Sequence, residues 1–244
     1  MIDLNSKTAE RQAISDAITM RIDVAIERAN LAEPHRKYLG CSYLGDECER
    51  KIQLTYMERP GFSGQLLRIF DRGRWAEDYI AGWFQRAGIA LVTEQPDGGQ
   101  FDVEFLGGRV RGHADGIIAG SVTATPLPFD VPALWECKCL GDKSFKDLVK
   151  RKLRLSKPTY WGQIHLYMMG LGLSRCLFTA MNGNTLELYH EVVGYDSAVG
   201  NDLLQRAERI LMYCGAGELV SRAFEQTDYR CRFCDWNERC WNRA

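Results

Sequence analysis

Three cysteines near the end of the chain constrain the fold more than any other feature of the sequence. Cys231, Cys234 and Cys240 follow the spacing Cys-x2-Cys-x5-Cys. Runs of this kind hold Zn²⁺ or an iron–sulfur cluster, and such sites take four ligands. A fourth cysteine therefore has to come from elsewhere in the chain, and its binding would fix a chain end that is usually frayed.

The composition limits the class of protein. The chain has 244 residues, of which 45% are apolar, and a formal net charge of −1. This suits one large globular domain or a domain with a small appendage, and the net charge points to no partner. No apolar run of about 18 residues occurs, and the first residues are too polar for a signal peptide. We therefore expect a cytoplasmic protein with no membrane contact, in which nine cysteines favour metal binding over disulfides.

Hydrophobic periodicity predicts helices, then a group of strands, then helices and a hairpin. We interpret this order as a mixed α/β (α+β) fold, in which helices flank a central mixed sheet. The predicted helices cover 7–30, 42–57, 64–87, 143–155, a segment that begins at Pro158, and 196–214; the predicted strands cover 90–95, 100–108, 109–120, 132–140, 174–182 and 185–193.

Charged residues interrupt two of the predicted strands. Asp115 lies on one, and Glu136 and Lys138 alternate on another, so they share a face opposite Cys137 and Cys139. An isolated charge in a core strand costs several kcal/mol unless it is paired or coordinated. The charges either form a self-satisfied carboxylate–lysine pair, or the two carboxylates bind Mg²⁺ or Mn²⁺.

The arrangement resembles the PD-(D/E)XK nuclease superfamily, in which an acid precedes an E-x-K strand, here Asp115 and Glu136-x-Lys138. Further matches to its RecB-type branch are Gly73-x-x-x-Glu77, Gly112-x-x-Asp115 and Gln163-x-x-x-Tyr167. The resemblance implies a restriction-endonuclease-like sheet. It also implies a catalytic set made of Asp115, Glu136, Lys138, Gln163 and Tyr167, and metal ligands that include Glu77, Asp115 and Glu136.

His113 lies two residues before Asp115 and is predicted to project from the same strand face. We predict that it is a metal ligand or a group that supports one. The alternative is a satisfied polar histidine at the edge of the sheet.

The fourth cysteine is predicted to be Cys48. The segment Ser42-x-Leu44-x-x-x-Cys48-x-Arg50-Lys51 resembles the N-terminal part of RecB-like nucleases with an iron–sulfur cluster, such as the AddAB-type nuclease domain and the CRISPR-associated RecB-family exonuclease. The resemblance implies a 4Fe–4S cluster that joins the two ends of the chain; the spacing alone also allows Zn²⁺. Cys41 is the alternative ligand. The implied cluster ligands are Cys48, Cys231, Cys234 and Cys240.

A basic stretch and neighbouring aromatic residues are candidates for DNA contacts. The alternatives are a solvated helix face for the basic residues, and core packing for Tyr160 and Trp161. The basic residues are Lys143, Lys146, Lys150, Arg151, Lys152, Arg154 and Lys157, and the aromatic residues are Tyr160, Trp161 and Tyr167.

These features together predict a metal-dependent DNA exonuclease that acts on single strands or DNA ends in recombination, repair or end processing. A recombination or CRISPR-adaptation protein is the predicted partner. The competing hypotheses are a non-catalytic DNA-binding module and a zinc-stabilised endonuclease. We predict an N-terminal helical region at 1–60, a nuclease core at 61–195, and a C-terminal helix with the cluster tail at 196–244.

Overall fold

The computed structural model describes residues 4–242, with side chains from residue 10 onward. Eight strands form two sheets. The strands are β1 (Leu39–Gly40), β2 (Ile89–Val92), β3 (Phe101–Phe105), β4 (Val110–Ala114), β5 (Gly116–Ser121), β6 (Ala133–Leu140), β7 (Arg175–Asn182) and β8 (Leu188–Gly194). The helices are α1 (Leu4–Ala32), α2 (Cys41–Leu44), α3 (Glu49–Met57), α4 (Gly64–Arg86), α5 (Asp142–Ser156), α6 (Pro158–Leu171), α7 (Ser197–Gly215), α8 (Tyr229–Arg232) and α9 (Asn237–Trp241).

The predicted fold class, a mixed α/β fold with a mixed sheet flanked by helices, is confirmed. The larger sheet has the order β2-β5-β6-β7-β8, with β6 and β7 parallel and the other neighbours antiparallel. The strands form two sheets rather than the single predicted one, because β1, β4 and β3 pair separately. The chain passes from one sheet to the other at Asp115, which lies between β4 and β5.

The two faces of β6 pack against different helices, and this fixes where its side chains point. Trp135 and Cys137 belong to the cluster formed with Ile80 and Phe84 of α4. Leu134 belongs to the larger cluster, which contains much of α6. Glu136 and Lys138 therefore share the α6 face, as the period-2 alternation predicts. No helix within residues 4–242 is long and apolar enough to cross a membrane.

The single helix predicted at 42–57 is wrong, because α2 and α3 are separate. The Asp46 side chain accepts a hydrogen bond from the Cys48 backbone N–H at 2.9 Å, which stabilises a turn between them. A second break lies inside α5, where Lys152 has φ of 64°. There the Leu153 N–H donates to Glu191 of β8 at 3.0 Å, so a partner from the sheet caps the restarted helix.

Direct contacts join the N-terminal helices to the C-terminal segment. Gln53 of α3 is fully buried. Its Nε2 donates to the Glu218 carbonyl at 2.7 Å, and its Oε1 accepts from the Val220 N–H at 2.8 Å. Nearer the terminus, Trp236 Nε1 donates to Thr55 Oγ1 at 2.9 Å. The segment between Glu218 and Trp236 is thus tied to α3 by ordinary hydrogen bonds, while the division at 1–60, 61–195 and 196–244 stays a prediction.

Candidate active site

The bend between β4 and β5 places Asp115 against β6. Its Oδ2 accepts a hydrogen bond from the Cys137 N–H at 2.8 Å and lies 3.6 Å from Lys138 Nζ. Lys138 Nζ also donates to Glu136 Oε1 and, at 2.9 Å, to the Cys137 carbonyl. Both acids of the predicted motif therefore meet the same ammonium group.

This cluster is largely removed from water. Glu136 is fully buried, while the side chains of Lys138 and Asp115 are 21% and 13% exposed. Glu136 Oε2 has no hydrogen-bond partner among the described residues. A buried carboxylate oxygen without a donor is costly, so it marks a position where a further positive group would fit.

Glu77 of α4 adds a third carboxyl group to the cluster. Burial, and then the charge of Asp115, raise the pKa of Glu77 to about 7. The same two causes raise the pKa of Glu136 to about 8. Three carboxyl groups lie near one ammonium group, and the raised pKa values mean that Glu77 and Glu136 hold protons near neutral pH because Lys138 alone cannot balance three carboxylates. This imbalance favours the cation-binding alternative.

These shifts predict a pH dependence for the metal-free protein. Because both folded-state pKa values lie above 4.5, the ordinary pKa of a glutamate side chain, the folded state binds protons more tightly than the unfolded state. The stability from this difference is fully present below about pH 4.5 and is lost as pH rises through 7 to 8. We expect a lower melting temperature at pH 8.5 than at pH 6 by calorimetry in EDTA. Glu136→Gln should flatten this slope; an unchanged slope would contradict it.

Metal ligation would require carboxylates of this cluster to turn away from Lys138. Within residues 4–242, no group of three or more His, Cys, Asp or Glu side chains is already arranged to hold a metal ion. The carboxylates are instead oriented toward Lys138. Their chemistry still suits a hard cation, because Mg²⁺ and Mn²⁺ prefer carboxylate oxygens and one oxygen of Glu136 is unpartnered.

The helix after α5 completes one wall of the cluster. Gln163 and Tyr167 lie one turn apart on α6, and Gln163 Nε2 donates to Tyr167 Oη at 3.1 Å. Burial raises the pKa of Tyr167, and the charge of Glu136 raises it further. Gln163 Oε1 is buried without a partner among the described residues. The pair therefore has a free acceptor beside the carboxylates.

Gly112 is required by close packing against this wall. A Cβ at this position would lie 2.5 Å from Tyr167 Cε1 and 2.9 Å from Cys41 Cβ. The glycine of the Gly-x-x-Asp motif thus lets the tyrosine ring approach the β4 backbone. The importance of Cys41 here as a packing residue could not be read from sequence spacing.

We expect Gly112→Ala to destabilise the protein by about 1–3 kcal/mol, because overpacking forces neighbouring groups to move. Gly120→Ala is a matched control, since Gly120 is also a strand glycine and has nothing within 4 Å of the added Cβ. It should be neutral or slightly stabilising. Urea denaturation of both variants checks this. Equal urea midpoints for the two variants would show that the packing against Tyr167 does not exclude a side chain at position 112.

His113 lies outside this cluster's contacts. It is opposite Asp102 in the β3–β4 pair, and its Nδ1 is hydrogen bonded to the Asp102 carboxylate. Its side chain is 46% exposed. His113 is therefore a polar residue whose Nδ1 is satisfied within the β3–β4 pair, on the middle strand of the smaller sheet. The chain leaves this sheet before Asp115. The hairpin turn at Gly107–Gly108 is the sequence feature that could have predicted the pairing of β3 with β4. A metal-binding role for His113 stays a prediction.

The four predicted cluster cysteines line one cavity. This cavity of about 420 Å³ lies between α3, the start of α6 and the C-terminal segment. Burial is the main cause of the raised pKa of Cys234; Lys51 lowers it, and Cys48 raises it. Cys41, the alternative ligand, is buried against Gly112 instead. The cysteines that share the cavity are Cys48, Cys231, Cys234 and Cys240.

Much of the predicted basic stretch is neutralised within the structure. Asp147 lies 3.6 Å from both Arg151 and Lys157, and Asp142 binds Lys146 at 2.8 Å. Other members cover aromatic rings: Lys152 lies over Tyr189, and Arg154 lies over Trp161. This favours the solvated-face alternative over a dedicated phosphate track.

The aromatic residues predicted to contact DNA pack partly in the hydrophobic core and partly against the candidate active site. Tyr160 stacks on Phe178, with ring centroids 6.2 Å apart, and Trp161 packs against His165 at 4.4 Å. Tyr160 also lies under Lys138, whose Nζ is 5.6 Å from its ring centroid. Both Tyr160 and Trp161 are partly buried against the larger core cluster, so the core-packing alternative describes most of their contacts.

The fold and the cluster together define a mixed α/β protein whose sheet carries a buried group of acids around one lysine. The sequence matches no protein-family profile and no curated protein. The structure is similar to an alkaline exonuclease, LHK-Exo, from Laribacter hongkongensis, with a TM-score of 0.51 and 15% identity over 75% of this chain and 90% of that chain. The complex of LHK-Exo with dAMP gives a TM-score of 0.50 at 15% identity, over 74% and 89% of the chains. At this identity the similarity establishes a nuclease-like fold.

Proposed function

We propose that this protein is a metal-dependent DNA exonuclease of the PD-(D/E)XK type. One observation carries the proposal: three carboxyl groups, Asp115, Glu136 and Glu77, are gathered around the single ammonium group of Lys138 in the buried centre of a nuclease-like sheet, so a divalent cation would supply the positive charge that they need to ionise. The name of the structural relative, an exonuclease, and its complex with dAMP support a DNA substrate.

The carboxylates would hold Mg²⁺ or Mn²⁺ between β5, β6 and α4. When bound, such a metal lowers the pKa of a water molecule and offsets negative charge on a phosphate. Lys138 is held in place by Glu136 and the Cys137 carbonyl, so its remaining N–H can orient water or stabilise a phosphate oxygen. Gln163 offers its unpartnered Oε1 as an acceptor on the same side.

The proposal includes a structural 4Fe–4S cluster bound by the four cysteines of the tail cavity, with Zn²⁺ as the alternative. The donor set fits, since soft thiolates suit either metal and all four line the same cavity. Phosphodiester hydrolysis transfers no electron, so the cluster would act in stability. A role in recombination, repair or DNA-end processing, with a partner from recombination or CRISPR adaptation, belongs to the same proposal.

Digestion of labelled DNA tests the activity. Purified protein is incubated with linear single-stranded, linear double-stranded and closed circular DNA, with Mg²⁺, Mn²⁺ or EDTA. We expect mononucleotides or short oligonucleotides from linear DNA only, and no products in EDTA. Binding without cleavage under all conditions would favour the DNA-binding module, and cleavage of closed circles would favour an endonuclease.

A further inference from the structure

A second cavity, of about 790 Å³, lies between the C-terminal half of α1, β1, α2, α3 and the N-terminal half of α4. Its volume falls in the range of 300–1,000 Å³ that is typical of ligand sites. We call it the α4 groove. Its walls include the exposed rings of Tyr43 and Phe70, which are 38% and 41% exposed. Large rings that face an open groove are unusual in a core-packing role.

Arginines lie along the same groove. Arg36 is exposed on its wall, and the Arg74 side chain is 71% exposed and paired with Asp71 on its own helix. An exposed pair of this kind contributes little stability, so Arg74 can exchange its partner for a phosphate. Arg59 has a different role: it donates to the carbonyls of Leu31 and Glu33 at 2.9 and 2.6 Å and holds the wall together.

The last groove residue on α4, Arg74, lies close in sequence to Glu77 of the acidic cluster. Arg74 and Glu77 are three residues apart on α4, so they lie on the same side of the helix about one turn apart. On the opposite wall, Gly40 lines the groove and precedes Cys41, which packs against Gly112. A chain lying in the groove would therefore reach the carboxylates at its end.

We propose that the α4 groove binds the single strand of DNA that is being hydrolysed, an inference that rests on the function proposed above. Aromatic faces beside arginines are the means by which proteins hold unpaired bases and their backbone without reading sequence. Stacking on such rings requires unpaired bases, which is why the proposed occupant is a single strand. Tyr43 and Phe70 stack bases, and Arg36 and Arg74 contact phosphates.

Fluorescence anisotropy with labelled oligo(dT) tests the groove directly. The measurements use EDTA, which prevents hydrolysis, and strands of increasing length. Tyr43→Leu and Phe70→Leu keep apolar volume but remove the ring, and each should weaken binding about tenfold. Arg36→Ala and Arg74→Ala should each lower the slope of log K against log salt by about 0.7.

Matched controls lie outside the groove. Phe233 is 85% exposed on the C-terminal segment, and Arg86 is exposed at the far end of α4. Phe233→Ala and Arg86→Ala should leave the affinity unchanged. If they weaken binding as much as the groove variants do, or if the groove variants bind as the wild type does, the groove assignment is wrong.

Hydrolysis of bis(p-nitrophenyl) phosphate, which is too small to use the groove, separates this inference from the proposed function. We expect the groove variants to keep the wild-type rate on this ester while KM for oligonucleotides rises. Wild-type KM in all groove variants of an active enzyme would overturn the groove and leave the function standing. Groove-dependent binding by a protein that hydrolyses neither substrate would overturn the function and leave the groove standing.

Discussion

Glu136→Gln should abolish Mg²⁺- and Mn²⁺-dependent DNA hydrolysis and at the same time stabilise the metal-free protein. The substitution removes the charge of a proposed metal ligand, and we expect the rate to fall about 10³-fold or more. It also removes a fully buried carboxylate whose raised pKa, about 8, is caused by burial and then by Asp115. Relief of this repulsion stabilises the fold, so activity and stability change in opposite directions.

Asp115→Asn should behave in the same way as Glu136→Gln, whereas Lys138→Met should lose activity and stability together. Lys138 is the cation that both acids share, so its removal leaves buried carboxylates unpaired. Asp102→Asn is the matched control, because Asp102 is an exposed carboxylate paired with His113; it should keep wild-type rates, as should His113→Ala.

Rates on linear DNA and melting temperatures in EDTA, measured for the same preparations, give both readouts. Wild-type rates in Glu136→Gln, Asp115→Asn and Lys138→Met would show that the chemistry lies elsewhere. Loss of rate in His113→Ala, without loss of stability, would instead support its predicted role at the metal.

The sequence could predict the acidic cluster because its members are fixed by local rules. Period-2 alternation on a strand decides that Glu136 and Lys138 share a face, and a spacing of four on a helix does the same for Gln163 and Tyr167. The structure places these residues and Asp115 around one point. Predictions of this kind hold wherever the segment is correctly predicted to be a strand or a helix.

The remaining features depend on partners that the sequence does not identify. His113 faces Asp102 because of hairpin register and because the chain changes sheets at Asp115. The basic residues of α5 extend toward Asp142 and Asp147, or cover rings, since long cationic side chains adopt whatever partners packing brings near. The α4 groove is formed by residues of α1, β1, α2, α3 and α4, so no single spacing pattern indicates it.

Cys48→Ser should remove the proposed cluster and loosen the C-terminal segment. A metal centre between Cys48 and the last three cysteines would close a loop of nearly the whole chain, which is worth about 4–5 kcal/mol on a chain-entropy estimate, and metal-coupled folding can add more. After anaerobic purification we expect Cys48→Ser to lack bound iron and the brown colour that an iron–sulfur cluster gives to a protein. We also expect a large fall in its melting temperature.

Two other cysteines provide controls for this experiment. Cys41 lies against Gly112 and Tyr167, and Cys214 accepts a hydrogen bond from Gln53 at 3.6 Å. Cys41→Ala and Cys214→Ser should keep iron and colour at wild-type levels. If Cys41→Ala loses iron while Cys48→Ser keeps it, the fourth ligand is Cys41 and not Cys48. If the wild-type protein contains zinc and no iron, the alternative metal is the correct one.

The hydrogen bonds between α3 and the C-terminal segment determine which part of that segment should open in the cluster-free variant Cys48→Ser. Gln53 still binds the Glu218 and Val220 backbone, so the segment near Val220 should remain docked. The part beyond Cys231 loses its metal and should open first. Hydrogen exchange followed by mass spectrometry distinguishes the two regions: we expect Cys48→Ser to lose protection at 229–241 while 218–220 stays protected. Equal loss in both would mean that the metal, and not the hydrogen bonds of α3, holds the whole C-terminal segment in place.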